Sequence, residues 1–173
     1  MKLIQPTAAY AEEISAYRQA FLDAGERIHG GGALNRTADP LQWLQICQDM
    51  RRIETVPENL VPATQFIYVR EEDGKIVGML QARHFLDDYL AKYAGHIGYS
   101  VRPDERRRGY AKAMLAAALP FCWQLGLERV MITCARENEA SRRTILANGG
   151  VFAGEAYEPD DKEFVERYWI ERK

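Results

Sequence analysis

The sequence predicts a mixed α/β fold in which helices cover the faces of a β-sheet. Three observations predict it: alternating apolar stretches of strand length, apolar residues at helical spacing between them, and Gly or Pro at their boundaries. The elements follow in the order β, α, α, three strands, α, β, α and a final hairpin, which is typical of a mixed sheet. No internal repeat or linker-like change of composition interrupts the chain, so residues 1–173 are predicted to form a single domain.

The first elements are a short strand over residues 2–5 and a helix from Ala8 to about Asp23. The apolar residues of this helix recur at helical spacing: Ile14, Tyr17, Phe21 and Leu22. Three consecutive glycines, Gly30–Gly32, predict that residues 26–38 form a loop, because glycine loses the most backbone entropy in a regular element.

Asp39 and Pro40 are typical of the N-cap and first residue of a second helix, whose apolar positions continue to Ile53. Two alternating stretches then end at Val69 and begin at Ile76. The sequence Asp-Gly between them predicts a β-hairpin.

The second half begins with the strand His96–Val101, followed by a helix from Gly109 to about Leu125. Pro120 lies inside this helix and predicts a kink or a shorter first half, since proline removes a backbone donor. The remaining elements are a strand over 129–134, a helix over 138–148, and a hairpin formed by 151–157 and 164–170.

Composition argues against several functional classes. The net charge is −2 with 28% charged residues, which disfavours a nucleic-acid-binding protein. Three cysteines without CxxC spacing, and three histidines without metal spacing, predict neither disulfides nor a metal site and fit the cytoplasm. The longest apolar stretch, Ala113–Leu119, is too short for a membrane span, so no membrane partner is expected.

An arginine-rich turn between a strand and a helix has the pattern of an anion-binding site. The three arginines that precede Gly109 carry charge at any physiological pH and can pair with phosphate. Gly109 has no Cβ, and the first N–H groups of the following helix have no partner inside it, so backbone can approach a phosphate closely. A Walker-type loop and a Rossmann fingerprint are both absent from the sequence.

The segment Arg106-x-x-Gly109-x-Ala111 resembles the (Arg/Gln)-x-x-Gly-x-(Gly/Ala) pyrophosphate loop of the GNAT superfamily of N-acetyltransferases. Asn138-x-x-Ser141 resembles the opening of the helix that runs beside the pantetheine arm of coenzyme A in that family, although both residues also fit a helix N-cap region. The resemblance covers roughly residues 75–172.

The resemblance implies a mostly antiparallel central sheet of six to seven strands, about four helices, and coenzyme A bound between two splayed strands. It also implies direct transfer of an acetyl group from acetyl-CoA to an amine. The positions that would contact the cofactor are Val101, Arg106, Arg107, Arg108, Gly109, Tyr110, Ala111, Asn138 and Ser141.

Catalytic groups are less clearly indicated. Tyr99 and His96 are the candidates on the strand, with core packing as the alternative for Tyr99 and a surface or capping position for His96. Many GNAT enzymes carry a proton-donating tyrosine at the position that is Ile145 here. The strand also lacks a carboxylate, which leaves Asp87 and Asp88 in the preceding loop as candidate bases. A mechanism with an acyl-cysteine intermediate on Cys134 is not expected, since this residue lies on the apolar face of a strand.

Three functions stay open at this point. The first is a cytoplasmic acetyl-CoA-dependent N-acetyltransferase that acts on a small-molecule, peptide or lysine amine. The second is a noncatalytic acyl-CoA-binding module of the same fold, and the third an RNA-associated protein that uses the arginine run. The aromatic final strand, with Tyr168–Ile170, is a candidate surface for pairing two subunits in a homodimer.

Overall fold

The computed structural model describes residues 1–172 and confirms the predicted fold class. Its main elements are β1 (Lys2–Ile4), α1 (Ala11–Asp23), α2 (Pro40–Asp49), β2 (Ala63–Val69), β3 (Ile76–Arg83), β4 (Ile97–Val101), α3 (Tyr110–Gln124), β5 (Arg129–Ala135), α4 (Glu139–Ala147), β6 (Val151–Glu158) and β7 (Glu163–Glu171). Short 3-10 turns cover 8–10, 32–35 and 103–105, and one π-helical turn covers Leu90–Ala94.

The strands form two antiparallel sheets, where the sequence predicted one mixed sheet. The first has the order β1-β2-β3-β4 and the second β5-β7-β6. The sheets meet at His96, whose N–H donates to the carbonyl of Met131 at 2.7 Å. Past that point no backbone hydrogen bond joins β4 to β5 within residues 1–172, because the two strands separate.

The two faces of the first sheet carry different helices. Helices α1 and α2 cover one face, where Tyr17 and Phe21 pack with Met79 of β3. Helices α3 and α4 cover the other, where Met114 and Ile145 share a core with β3, β4 and β5. Burial of these apolar side chains stabilises the fold by roughly 1.5–3 kcal/mol each.

One local prediction was wrong. Helix α2 ends at Asp49 and does not continue to Ile53, because the Met50 carbonyl accepts from Ala63 N at 2.8 Å and turns over 51–60 connect the helix to β2. Of the two effects expected from Pro120, a shorter first half is excluded, since α3 continues through this exposed proline to Gln124. Leu22 lies in α1, as its spacing predicted, but is 50% exposed.

No helix among the described residues is long and apolar enough to cross a membrane.

Candidate active site

The edge of β4 that faces β5 has main-chain groups that are not paired with another strand. At the ends of the β3–β4 ladder, Arg83 N donates to His96 O (2.8 Å) and Arg102 N donates to Val77 O (2.9 Å). Hydrogen-bonded and non-hydrogen-bonded pairs alternate in an antiparallel ladder, so the N–H and C=O groups of Tyr99 and Val101 point away from β3. They face the gap between the two sheets.

The arginine-rich turn at the end of this gap presents a continuous row of unpaired donors. None of the seven main-chain N–H groups from Arg106 to Lys112 donates to an acceptor in the part of the chain that the structure covers. Ala113 N is the first to be paired, with Gly109 O at 3.2 Å. The row combines loop amides with the first turn of α3, where the helix dipole is positive.

Two residues shape this turn through left-handed backbone conformations. Gly109, at the N-cap of α3, has φ +79°, and Arg107 has φ +65°. A Cβ on Gly109 would meet no atom within 4 Å, so the conformation, and not a shortage of space, favours glycine here.

A buried carboxylate anchors the turn. Glu105 is 3% exposed and forms ion pairs with Lys75 Nζ (2.7 Å), Arg70 Nη1 (3.0 Å) and Arg108 Nη1 (3.0 Å). The hydrogen bond from Lys75, followed by that from Arg70, lowers the pKa of Glu105. The turn is therefore tied to the β2–β3 hairpin.

The side chains of the three arginines have different surroundings. Arg106 pairs with Glu26 (Nη1 to Oε1, 3.0 Å) and donates from Nε to Val101 O at 3.2 Å. Arg108 pairs with Glu105, whereas Arg107 is exposed. The main-chain N–H groups of the turn, more than these side chains, are therefore available to bind an anion.

Tyr99 links β4 to α4 across the gap. Its hydroxyl lies 2.7 Å from Ser141 Oγ, and Asn138 Oδ1 accepts from Ser141 N at 3.0 Å, which confirms Asn138 as the N-cap of α4. Burial raises the pKa of Tyr99 to about 12, so the phenol stays protonated. Ile145, the residue at the usual tyrosine position, is fully buried and contacts Gly150.

His96 is buried, and the expectation of a surface or capping position is wrong. It is 5% exposed, and its Nδ1 accepts a hydrogen bond from Met131 N at 2.9 Å. Burial lowers its pKa to about 4, which keeps the ring neutral and able to accept that bond. The ring therefore holds the two sheets together.

The face of β4 opposite α3 carries groups that the sequence motifs did not indicate. Ser100 Oγ donates to His29 O at 2.6 Å, and a Cβ on Gly30 would lie 2.2 Å from Gly98 O. The loop after α1 thus rests directly on the strand. The run of glycines was the only sequence signal for this contact. Of the loop acids predicted as bases, Asp87 accepts from Leu90 N at 2.8 Å.

Within residues 1–172, no group of three or more His, Cys, Asp and Glu side chains is arranged to hold a metal ion. Cys134 is buried, as predicted for a core residue.

The comparisons with known proteins agree with this geometry. The sequence model of the Acetyltransferase (GNAT) family matches residues 34–149. No curated protein sequence matches the chain significantly.

Solved structures share its fold. The ribosomal-protein-S5-alanine acetyltransferase of Vibrio fischeri is 21% identical, with a TM-score of 0.70 and coverage of 98% of this chain and 91% of that one. Mycobacterium smegmatis RimJ in complex with CoA-disulfide is 23% identical, with a TM-score of 0.71 and coverage of 98% and 80%. Microcin C7 self immunity acetyltransferase MccE, in complex with acetyl-CoA and AMP, is 18% identical, with a TM-score of 0.71 and coverage of 98% and 91%.

Proposed function

The chain belongs to the GNAT acetyltransferase family, and on that premise we propose that it transfers an acetyl group from acetyl-CoA to a primary amine by direct attack in a ternary complex. The row of seven unpaired N–H groups from Arg106 to Lys112 carries the proposal. Such a row at a helix N-terminus suits a pyrophosphate. RimJ and MccE, which share the fold, were solved with CoA-disulfide and acetyl-CoA.

The cofactor site would extend from this row along the gap between the sheets. The main chain from Arg106 to Ala111 would hold the pyrophosphate, and Arg107 would add an exposed positive charge. Asn138 and Ser141 lie at the α4 side of the gap, where they would contact the pantetheine arm. The free N–H groups of Tyr99 and Val101 lie on its other side.

Acetyl-CoA supplies an acetyl group activated as a thioester, and the new N–C bond forms as the C–S bond breaks. An N–H of Tyr99 or Val101 would donate to the thioester carbonyl, and a donor of this kind contributes about 3 kcal/mol to the rate. We assign to the Tyr99 hydroxyl, which is protonated, the donation of a proton to the departing sulfur. Holding both reactants in one cleft supplies much of the remaining rate.

The acceptor amine must lose a proton before or during attack. The acceptor would bind on the face of β4 that carries Gly98 and Ser100, which we call the acceptor side. The main chain of His29 lies on this side, where its carbonyl accepts from Ser100 Oγ. Partial desolvation, and then the charge of Arg27, lowers the pKa of His29, so the ring is mainly neutral at pH 7 and able to accept a proton. We assign this role to His29, because His96 is committed to Met131 and Asp87 caps a turn.

Thermal unfolding with and without millimolar acetyl-CoA tests the cofactor site. Ligand at about 100 times Kd stabilises the folded state by about 2.7 kcal/mol, so the melting temperature should rise by several degrees. Gly109→Ala should weaken this rise, whereas Gly126→Ala should not. Both glycines have positive φ and open space, but Gly126 follows the far end of α3.

Release of the coenzyme A thiol in the presence of an amine panel tests turnover. Ile145 at the tyrosine position is the observation that favours the alternative, a noncatalytic acyl-CoA-binding module. That alternative predicts stabilisation by acetyl-CoA without amine-dependent thiol release. An unchanged melting temperature would contradict both functions. The three free cysteines agree with the cytoplasmic location that we propose.

A further inference from the structure

Arg83, the last residue of β3, is a partly exposed cation without a protein counter-ion. Its Nη1 donates to the carbonyls of Gly95 (2.9 Å) and Ala94 (3.2 Å). No Asp or Glu side chain in the described part of the chain forms an ion pair with it. Burial lowers the pKa of the guanidinium, which shows that its surroundings disfavour the charge.

The acids around residues 87–94 are engaged with other groups. Asp87 raises the pKa of Arg83 from a distance, but its Oδ1 accepts from Leu90 N at 2.8 Å. Glu158 accepts from Asp161 N at 2.5 Å and from the Tyr89 hydroxyl at 3.5 Å. An uncompensated cation in a partly desolvated position is unfavourable, so an incoming anion would gain free energy there.

The guanidinium lies beside the acceptor side of β4. Residues 79, 81 and 83 of β3 share the face covered by α1 and α2, and so do Gly98 and Ser100 of β4. Arg83 Nη2 is 3.9 Å from the position that a Cβ on Gly98 would take, and Gly30 Cα is 3.4 Å from the same position. Gly98 immediately precedes Tyr99. Because it is a glycine, no side chain lies between the guanidinium and the edge of β4 that faces the gap.

On the basis of the proposed function, we propose that Arg83 binds a carboxylate of the acceptor, so that the acceptor is a free amino acid or a closely similar amine that carries a carboxylate. The bonds from Nη1 fix the guanidinium plane, and Nε and Nη2 have no acceptor among residues 1–172. These two nitrogens form the fork that binds a carboxylate through two parallel hydrogen bonds. His29 and Arg83 would then hold the amine and the carboxylate of one molecule.

Matched acceptors test this inference. Thiol release from acetyl-CoA would be measured with a panel of L-amino acids, their carboxamides and the corresponding decarboxylated amines. The wild-type protein should favour amino acids over their carboxamides at least about 10-fold in kcat/KM, since a carboxamide carries no charge to pair with the guanidinium. Arg83→Met and Arg83→Lys should remove most of this preference, mainly through KM.

Arg18→Met is the control variant. Arg18 is also partly exposed and donates from Nε to a carbonyl, that of Leu34 at 3.0 Å, but it lies on α1. This variant should keep the preference. Stabilisation by acetyl-CoA should be unchanged in the Arg83 and Arg18 variants, which separates loss of the acceptor site from loss of the fold.

Equal turnover of amino acids and carboxamides would overturn the inference, as would a preference that persists in Arg83→Met or a preference for peptides or polyamines. If no acceptor is turned over, calorimetric titration of the amino acids into the protein saturated with CoA tests whether Arg83 forms a carboxylate site. Binding that is lost in Arg83→Met supports the site, and absence of binding overturns it. Failure of acetyl-CoA to stabilise the wild-type protein would instead contradict the proposed function.

Discussion

At its start β4 is tied to the second sheet, whereas at its end it has no partner on that side. His96 uses both its backbone N–H and its ring to bind Met131. Tyr99 and Val101, a few residues later, turn toward β5 N–H groups that have no acceptor among residues 1–172. The difference shows how one strand can fix the spacing of two sheets and still leave an open edge for a ligand. We call the start of β4, at His96, its closed end, and the stretch from Tyr99 to Val101 with the turn that follows its open end.

Replacing His29 should have the largest effect at the open end. If its ring accepts the amine proton, His29→Gln should lower kcat/KM about 100-fold, which corresponds to about 2.7 kcal/mol. The loss should be smaller at high pH, where more of the amine is already neutral. His84→Gln is a suitable control, since His84 binds Thr64 at 2.9 Å and lies elsewhere on the first sheet. A uniform loss at all pH values would argue for a structural role.

Replacing Glu105 should loosen the anchored turn at the open end. Glu105→Ala removes the partner shared by Lys75 and Arg70 and should lower the free energy of unfolding by about 2 kcal/mol, as measured with urea. It should also reduce stabilisation by acetyl-CoA. Asp104→Ala, which removes a more exposed partner of Lys75, should cost under about 1 kcal/mol. Equal losses in the two variants would contradict the anchoring role.

The closed end should make the free energy of unfolding depend on pH in the acid range. The pKa of His96 is about 4 in the folded protein, against 6.5 ordinarily, so between these values the unfolded state binds more protons. This stabilising contribution is complete above pH 6.5 and is lost as the pH falls toward 4. From pH 6.5 to 5 the loss should be about 2 kcal/mol.

His96→Gln should reduce this acid sensitivity, because an amide oxygen can accept from Met131 N without titrating. Urea unfolding at the two pH values measures the difference between the variants. An identical pH dependence in wild type and His96→Gln would show that His96 is not the responsible group.

The smallest effects should come from the link between β4 and α4. Asn138→Ala removes the N-cap of α4 and should cost about 1 kcal/mol of stability. Asp39→Ala removes the cap of α2 at a distance from the gap and serves as the control. Only Asn138→Ala should also weaken stabilisation by acetyl-CoA. A similar response to acetyl-CoA in both variants would limit Asn138 to its capping role.

Much of the open end was predictable, because its residues are close in sequence. The turn from Arg106 to Ala111 and the cap at Asn138 depend on local backbone preferences, and the structure places unpaired amides and an N-cap there. The surroundings of the proposed acceptor site were not predictable, since positions 30, 83 and 98 meet only through tertiary packing. His96 was misjudged for the same reason, because its burial depends on a strand 35 residues away.

The close contact between Gly30 and Gly98 limits how this part of the cleft can change in evolution. With 2.2 Å between a Gly30 Cβ and the opposing carbonyl oxygen, even one methyl group would wedge the segment off the strand. Natural variation in the molecules accepted should therefore accumulate at the rim of the cleft and in loop length, while Gly30 stays without a side chain. A directed-evolution library is best aimed at that rim.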